Sequence, residues 1–196
     1  LNVTETAKDG TYTLPGHARQ RFIFITTPSG YKTLNKHYHK IDSRTNGYDF
    51  GLLTYHPGIG KDGSHQYVHV SDTEIFNTEG NEAWVRNIRE YAANENAAFI
   101  IHTGDICYEN GMKKHIKLMN TENMNVPVFY CIGNHDLVKG KYGEEVFENN
   151  YGPVYYSFDV ANVHYIVTPM PGGDHKPGYT RLDVCRWLKN DLAHIK

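Results

Sequence analysis

Val126-Pro127-Val128-Phe129-Tyr130-Cys131-Ile132-Gly133-Asn134-His135-Asp136 is the stretch that decides how this chain is read. It opens as an apolar run of strand length and closes on a glycine, an amide, an imidazole and a carboxylate. Open α/β sheets build their sites just outside the carboxyl ends of strands. Roughly one chain in a thousand of this length would carry Gly-Asn-His-Asp by chance at average composition. The tetrapeptide therefore makes an enzyme the leading reading.

Two more acidic strand ends precede it. Tyr67-Val68-His69-Val70-Ser71 reads as a short strand running into Asp72, and Ala97-Ala98-Phe99-Ile100-Ile101-His102-Thr103 as another running into Gly104-Asp105. The steps from Asp72 to Asp105 and from Asp105 to Asn134 are each about 30 residues, the length of one strand-helix-strand unit. Residues 81 to 96 carry Trp84, Ile88, Tyr91 and Ala92 at near-helical spacing, and Met112, Ile116 and Met119 repeat the pattern. Parallel strands joined in this way end on one edge of the sheet, so Asp72, Asp105 and Asn134 are expected to converge. Convergent oxygen donors suggest a metal.

These residues resemble the calcineurin-like metallophosphoesterases, whose successive blocks are Asp-x-His, Gly-Asp, Gly-Asn-His-Asp/Glu, a lone His and Gly-His-x-His. Gly104-Asp105 and Gly133-Asn134-His135-Asp136 match the second and third blocks, whereas the first reads Asp72-Thr73-Glu74, with Glu where the commonest form has His. Tyr108, in Gly104-Asp105-Ile106-Cys107-Tyr108, makes the set similar to the purple acid phosphatase branch. There a phenolate joins the metal ligands and the first-block His is also missing. After the third block, His164, His175 and His194 remain, and none stands in a Gly-His-x-His.

The resemblance implies an α/β fold, a mixed central sheet flanked by helices as part of an αββα sandwich. It also implies two divalent or trivalent metal ions, manganese, iron or zinc. Asp105 would bridge them, Asp72 would belong to the first metal and Asn134 would give its amide oxygen to the second. Tyr108 is either a ligand or a packed aromatic, and Glu74 either replaces the missing His or is an exposed loop carboxylate. His135 would contact the phosphate or protonate the leaving group, with Asp136 accepting from its other ring nitrogen. The implied function is hydrolysis of a phosphomonoester or phosphodiester by a metal-activated hydroxide. The alternative is a non-catalytic binding or scaffold module that keeps the fold, since several imidazole ligands are missing.

Outside these blocks the chain is less specific. Asp9 to Pro15 and Arg21 to Tyr31 have the turn and strand pattern of a small all-β module, similar to the closing strands of the prealbumin-like or Cna-B-like domain of some secreted bacterial members of the superfamily. Lys32 to Gly63 reads as a polar connection with one strand-like stretch, Tyr48 to Leu53. The expected division is residues 1–63 for the end of this module and linker, and 64–196 for the first part of the phosphoesterase domain. The chain reads as a piece cut at both ends, and the resemblance puts it in the periplasm, at the cell surface or outside a bacterium.

Tyr155 to Asn162 and Val163 to Val167 read as two strands joined by a turn, which in this family extend the sheet, and Arg181 to Lys196 as an amphipathic helix. Composition adds limits. Across 196 residues, 39% are hydrophobic and the net charge is −2, with Lys and Arg dispersed, which gives no footprint for nucleic acid. No apolar run is long enough to span a membrane. The 15 tyrosines read as sheet surface, and Cys107, Cys131 and Cys185 as free thiols. His37, His39, His56, His65 and His69 match no metal spacing and read as solvated loop residues.

Overall fold

Three short parallel strands organise the computed structural model, which describes residues 2–75, 81–106 and 108–195. In chain order the elements are β1 (Phe22–Phe24), β2 (Tyr31–Thr33), β3 (Tyr38–Lys40), β4 (Leu52–Thr54), β5 (Val68–Val70), α1 (Asn81–Asn94), β6 (Ile100–His102), α2 (Glu109–Leu118), α3 (Thr121–Met124), β7 (Val128–Tyr130), α4 (Glu145–Asn150), β8 (Tyr156–Val160), β9 (Val163–Val167) and α5 (Arg181–Leu192). The sheet order is β5-β6-β7, all parallel, with Val70 opposite His102 and His102 opposite Tyr130. The three strands therefore end level with one another, as the spacing of their acidic ends predicts.

Alternation along these strands sorts the core into two layers. Val70, Ile100, Val128 and Tyr130 point to one side, where they meet Val85 and Ala92 of α1, Met112 of α2 and Phe147 of α4. Phe99 and Phe129 point to the other side, against Phe158, Val160 and Val167 of the β8-β9 hairpin. A residue period of two gives a strand two different faces, and both are apolar here because helices cover one and a second sheet the other. α5 starts cleanly because Thr180 and Asp183 form a capping box.

The hairpin corrects one expectation. β8 and β9 pair antiparallel with each other in a separate two-stranded sheet and do not extend the parallel ladder. Instead the Phe158 ring stacks on Phe129, with centroids 3.6 Å apart. The Tyr156 hydroxyl meets both backbone groups of Tyr130, at 2.8 and 2.9 Å, and so occupies the edge of β7 where a further strand would bond.

The N-terminal residues form two antiparallel pairs, β1-β3 and β2-β4. No ladder forms over residues 9–15, where a strand was expected; Asp9 and Gly10 lie in a turn and residues 11–15 belong to no strand. Thr27 bridges Phe158 in parallel, and Arg21 pairs with the buried carboxylates of Glu144 and Glu148 at 2.9 and 2.7 Å. His37 differs from the solvated reading: it is buried, tilted 4.5 Å from the Tyr156 ring, and burial holds its pKa down at about 3. Cys131 is half-buried and free, its thiol pushed up to about 11 by burial and by the charge of Asp136. Cys185 is free and exposed, and Cys107 lies outside the described residues.

Candidate metal centre

The loops after β6 and β7 touch backbone to backbone. A Cβ on Gly104 would lie 2.5 Å from the nitrogen and Cα of Gly133, and one on Gly133 would lie 2.2 Å from the nitrogen and Oδ1 of Asp105. Glycine at both positions is a steric requirement, and Gly104 also sits at φ +104°. The close approach lets His135 N donate to Asp105 Oδ1 at 3.0 Å, which fixes that carboxylate across the two loops.

Asp136 is the second tie. It is fully buried, and its two oxygens accept from Gly133 N and Ile106 N, both at 2.9 Å. Backbone amides of the two loops thus reach both oxygens of the residue expected behind the imidazole. The carboxylate that meets the His135 ring is Asp174, with Oδ2 2.9 Å from Nδ1.

The loop after β5 joins the same arrangement. Asp72 N donates to Gly104 O, Glu74 N to Asp105 O and Ile75 N to Ile106 O, at 3.1, 3.0 and 3.1 Å. Asp72, Glu74 and Asp105 have φ of 52°, 42° and 49°, left-handed conformations that cost on the order of 1 kcal/mol each and are held by these bonds. Thr73 anchors the loop from below: its hydroxyl donates to Ile106 O at 2.6 Å and accepts from His102 Nε2 at 2.9 Å. The proton of His102 is thus on Nε2, and burial keeps the ring neutral by lowering its pKa to about 3.

Glu74, Asp105 and His135 offer one ligand atom each, all within 4.8 Å of one another. His135 Nε2 stands 4.0 Å from Glu74 Oε1. The hydrogen bond to Asp174 raises the His135 pKa above that of an ordinary imidazole, partial burial opposes it, and the charges of Asp174, Asp105 and Glu74 add to the rise. Beside the ring opens a cleft of about 290 Å³ lined by Tyr108, Asn110, His135, Lys139, Asp174 and His175, among others.

Residues 65–190 match the family described as calcineurin-like phosphoesterase, and residues 1–54 match the one described as the N terminal of calcineurin-like phosphoesterase. This chain belongs to the calcineurin-like phosphoesterase family. A search of curated proteins found no match. The family is one of hydrolases that usually bind divalent metals, and the parallel sheet flanked by helices is consistent with its fold.

In this member of the family the donor set fits such a cation. Two carboxylates and an imidazole suit manganese, iron or zinc, and all three come from loops tied to one another. Asp72 lies on the same turn as Glu74 but is exposed and outside that group of three. Asn134 is half-buried between Gly133 and His135, its carbonyl accepting from Asp174 N at 3.1 Å. Tyr108, at the N-cap of α2, stacks on the His135 ring with centroids 6.4 Å apart. Asp174 had no signal in the sequence beyond the turn-forming Gly172-Gly173 before it. Among the described residues, no helix is long and apolar enough to cross a membrane.

Proposed function

We propose that this chain hydrolyses phosphoesters at a binuclear metal site whose core is Glu74, Asp105 and His135. The carrying observation is the approach of these three side chains to within 4.8 Å at the level ends of β5, β6 and β7. Asp105, Asp72 and Glu74 would hold the cations, with Asp105 the carboxylate shared between them, and Asn134 would offer its amide oxygen to the second. Tyr108 flanks the site with its ring against His135. Bound there, a cation lowers the pKa of a coordinated water from about 16 to about 7 and supplies a nucleophile at neutral pH.

The protein's own groups do the rest. With Nδ1 of His135 against Asp174, Nε2 is the ring nitrogen left on the Glu74 side, where its lone pair would join the metal ligands. Lys139 and His175 line the adjoining cleft, where the Lys139 ammonium supplies positive charge for an anionic ester. The reading as an exported bacterial protein rests on the likeness of residues 1–63 to the β-module of secreted members.

Only one imidazole belongs to the group of three, so the cations are expected to be held weakly and turnover to be slow. The test is release of an aryl alcohol from an aryl phosphate monoester and a diester with added manganese, zinc or iron. Expected is metal-dependent hydrolysis of at least one ester, lost on chelation. Hydrolysis of neither ester under any of the three metals overturns the proposal. Retained cation binding in that case would favour the binding-module reading.

A further inference from the structure

The carboxylate against the His135 ring comes from a loop that carries none of the family blocks. We infer that Asp174 is the positioning residue of the site, accepting Nδ1–H of His135 and so committing Nε2 to the side of Glu74 and Asp105. The consequence for function rests on the reading of those three residues as one metal centre; the contact itself does not.

An ionised carboxylate only accepts hydrogen bonds, so at 2.9 Å from Asp174 Oδ2 the imidazole nitrogen Nδ1 must be the donor. The partner of one ring nitrogen decides what the other presents. Here Nε2 is left 4.0 Å from Glu74 Oε1, within the group that includes Asp105. Asp136, the nearer carboxylate in sequence, is spent on two backbone amides.

Asp174 is 48% exposed, and an exposed His-Asp pair by itself contributes little. What sets this one apart is how its backbone is seated. A Cβ on Gly173 would lie 2.4 Å from Asn134 O and 2.8 Å from Asn134 Cα, so the loop lies directly on the turn that carries His135. Asp174 N donates to Asn134 O at 3.1 Å. The base of the loop is closed by Tyr179 Oη on Met170 O at 2.6 Å and by Gly178 N on the buried Glu144 Oε2 at 2.8 Å. Gly143 N on Lys176 O, at 2.9 Å, ties its middle. The loop thus carries one side chain to one ring nitrogen with its backbone fixed on both sides.

The direct test is nitrogen-15 NMR of the histidine rings in the metal-free full chain, at a pH where His135 is neutral. The parent protein is expected to show His135 protonated on Nδ1. Asp174→Ala and Asp174→Asn are expected to move the proton wholly or partly to Nε2, and Asp174→Glu to restore Nδ1–H. Gly173→Ala should produce the same shift with the carboxylate intact, because the added methyl lifts the loop from Asn134. The buried His102, protonated on Nε2, is the internal control that each variant is folded. A parent ring protonated on Nε2, or an unchanged tautomer in folded Asp174→Ala, overturns the inference.

Zinc titration then separates it from the reading of the site. A ten- to hundredfold weaker affinity in Asp174→Asn is expected if His135 serves the metal centre. A switched tautomer with unchanged zinc affinity would uphold Asp174 as the positioning residue while counting against the metal centre.

Discussion

His135 and His164 each hold a carboxylate against Nδ1, Asp174 at 2.9 Å and Asp159 at 2.6 Å. At His164 the second nitrogen is also taken, by Asp191 of α5 at 2.9 Å, and the side chain is 15% exposed. Asp191 in turn accepts from Ser157 of β8 at 2.7 Å, so the ring and its two carboxylates pin the last helix to the hairpin. At His135 the second nitrogen faces Glu74 and Asp105 beside an open cleft, and the side chain is 39% exposed. A carboxylate behind an imidazole does not by itself make a site. A ring with both nitrogens committed is a clamp, and one with a single committed nitrogen keeps the other for chemistry.

The largest effect is expected from exchanging carboxylates between the two settings. Asp105→Asn should lower metal-dependent ester hydrolysis by about a hundredfold or more, because it removes the group shared by the three loops. Asp159→Asn, at the clamp, should change that rate by no more than about twofold, since mutations far from the reacting groups act mainly on stability. Equal losses of activity in the two variants, measured on folded protein, would erase the distinction between site and clamp.

Next in size is the contact on which the site is built. Gly133→Ala puts a methyl 2.2 Å from Asp105 and should cost about 3 kcal/mol in urea unfolding, at the upper end of overpacking penalties. Gly172→Ala, with nothing within 4 Å of the added carbon, should be near neutral. A Gly133→Ala protein of unchanged stability would mean that the loops after β6 and β7 do not meet as described.

The smallest effect is the pH dependence of the clamp. Burial lowers the His164 pKa, but the hydrogen bonds to Asp191 and Asp159 outweigh it and the net shift is upward. Its stabilisation is therefore fully present below the unfolded value of about 6.5 and is lost as the pH rises through the higher folded value. His164→Gln should cost about 1 kcal/mol near pH 6, allowing for solvent screening, and less near pH 8. The buried histidines His37, His102 and His115 act oppositely, with pKa values lowered by burial to about 3, 3 and 4. Each is neutral in the fold and destabilises it by about 1.4 kcal/mol per pH unit as the pH falls below 6.5 toward its folded value. A His164→Gln penalty that grows from pH 6 to pH 8 would contradict the clamp.

Much of this was legible in the sequence, for reasons that differ along the chain. α1 and α2 announce themselves through apolar residues at helical spacing, and β5, β6 and β7 through short apolar runs that each end in an acid. α4 escaped notice because Glu145–Asn150 is short and mostly polar. The β8-β9 hairpin was legible as two strands, but alternation marks a strand's faces and not its neighbour, and the stacking of Phe158 on Phe129 was not visible. At the site, Asp105 and His135 were legible from their motifs. The pairing of His135 with Asp174 was not, because sequence spacing does not show that Gly133 N and Ile106 N meet the Asp136 oxygens or that the loop carrying Asp174 lies on Asn134.

The proposed metal centre puts a cation among Glu74, Asp105 and His135. Anomalous diffraction from crystals of the full chain soaked in manganese locates it. Expected is an anomalous peak within coordination distance of a Glu74 and an Asp105 carboxylate oxygen, on the Nε2 side of His135, and its loss in Asp105→Asn. A manganese peak elsewhere with none among these three residues would contradict it.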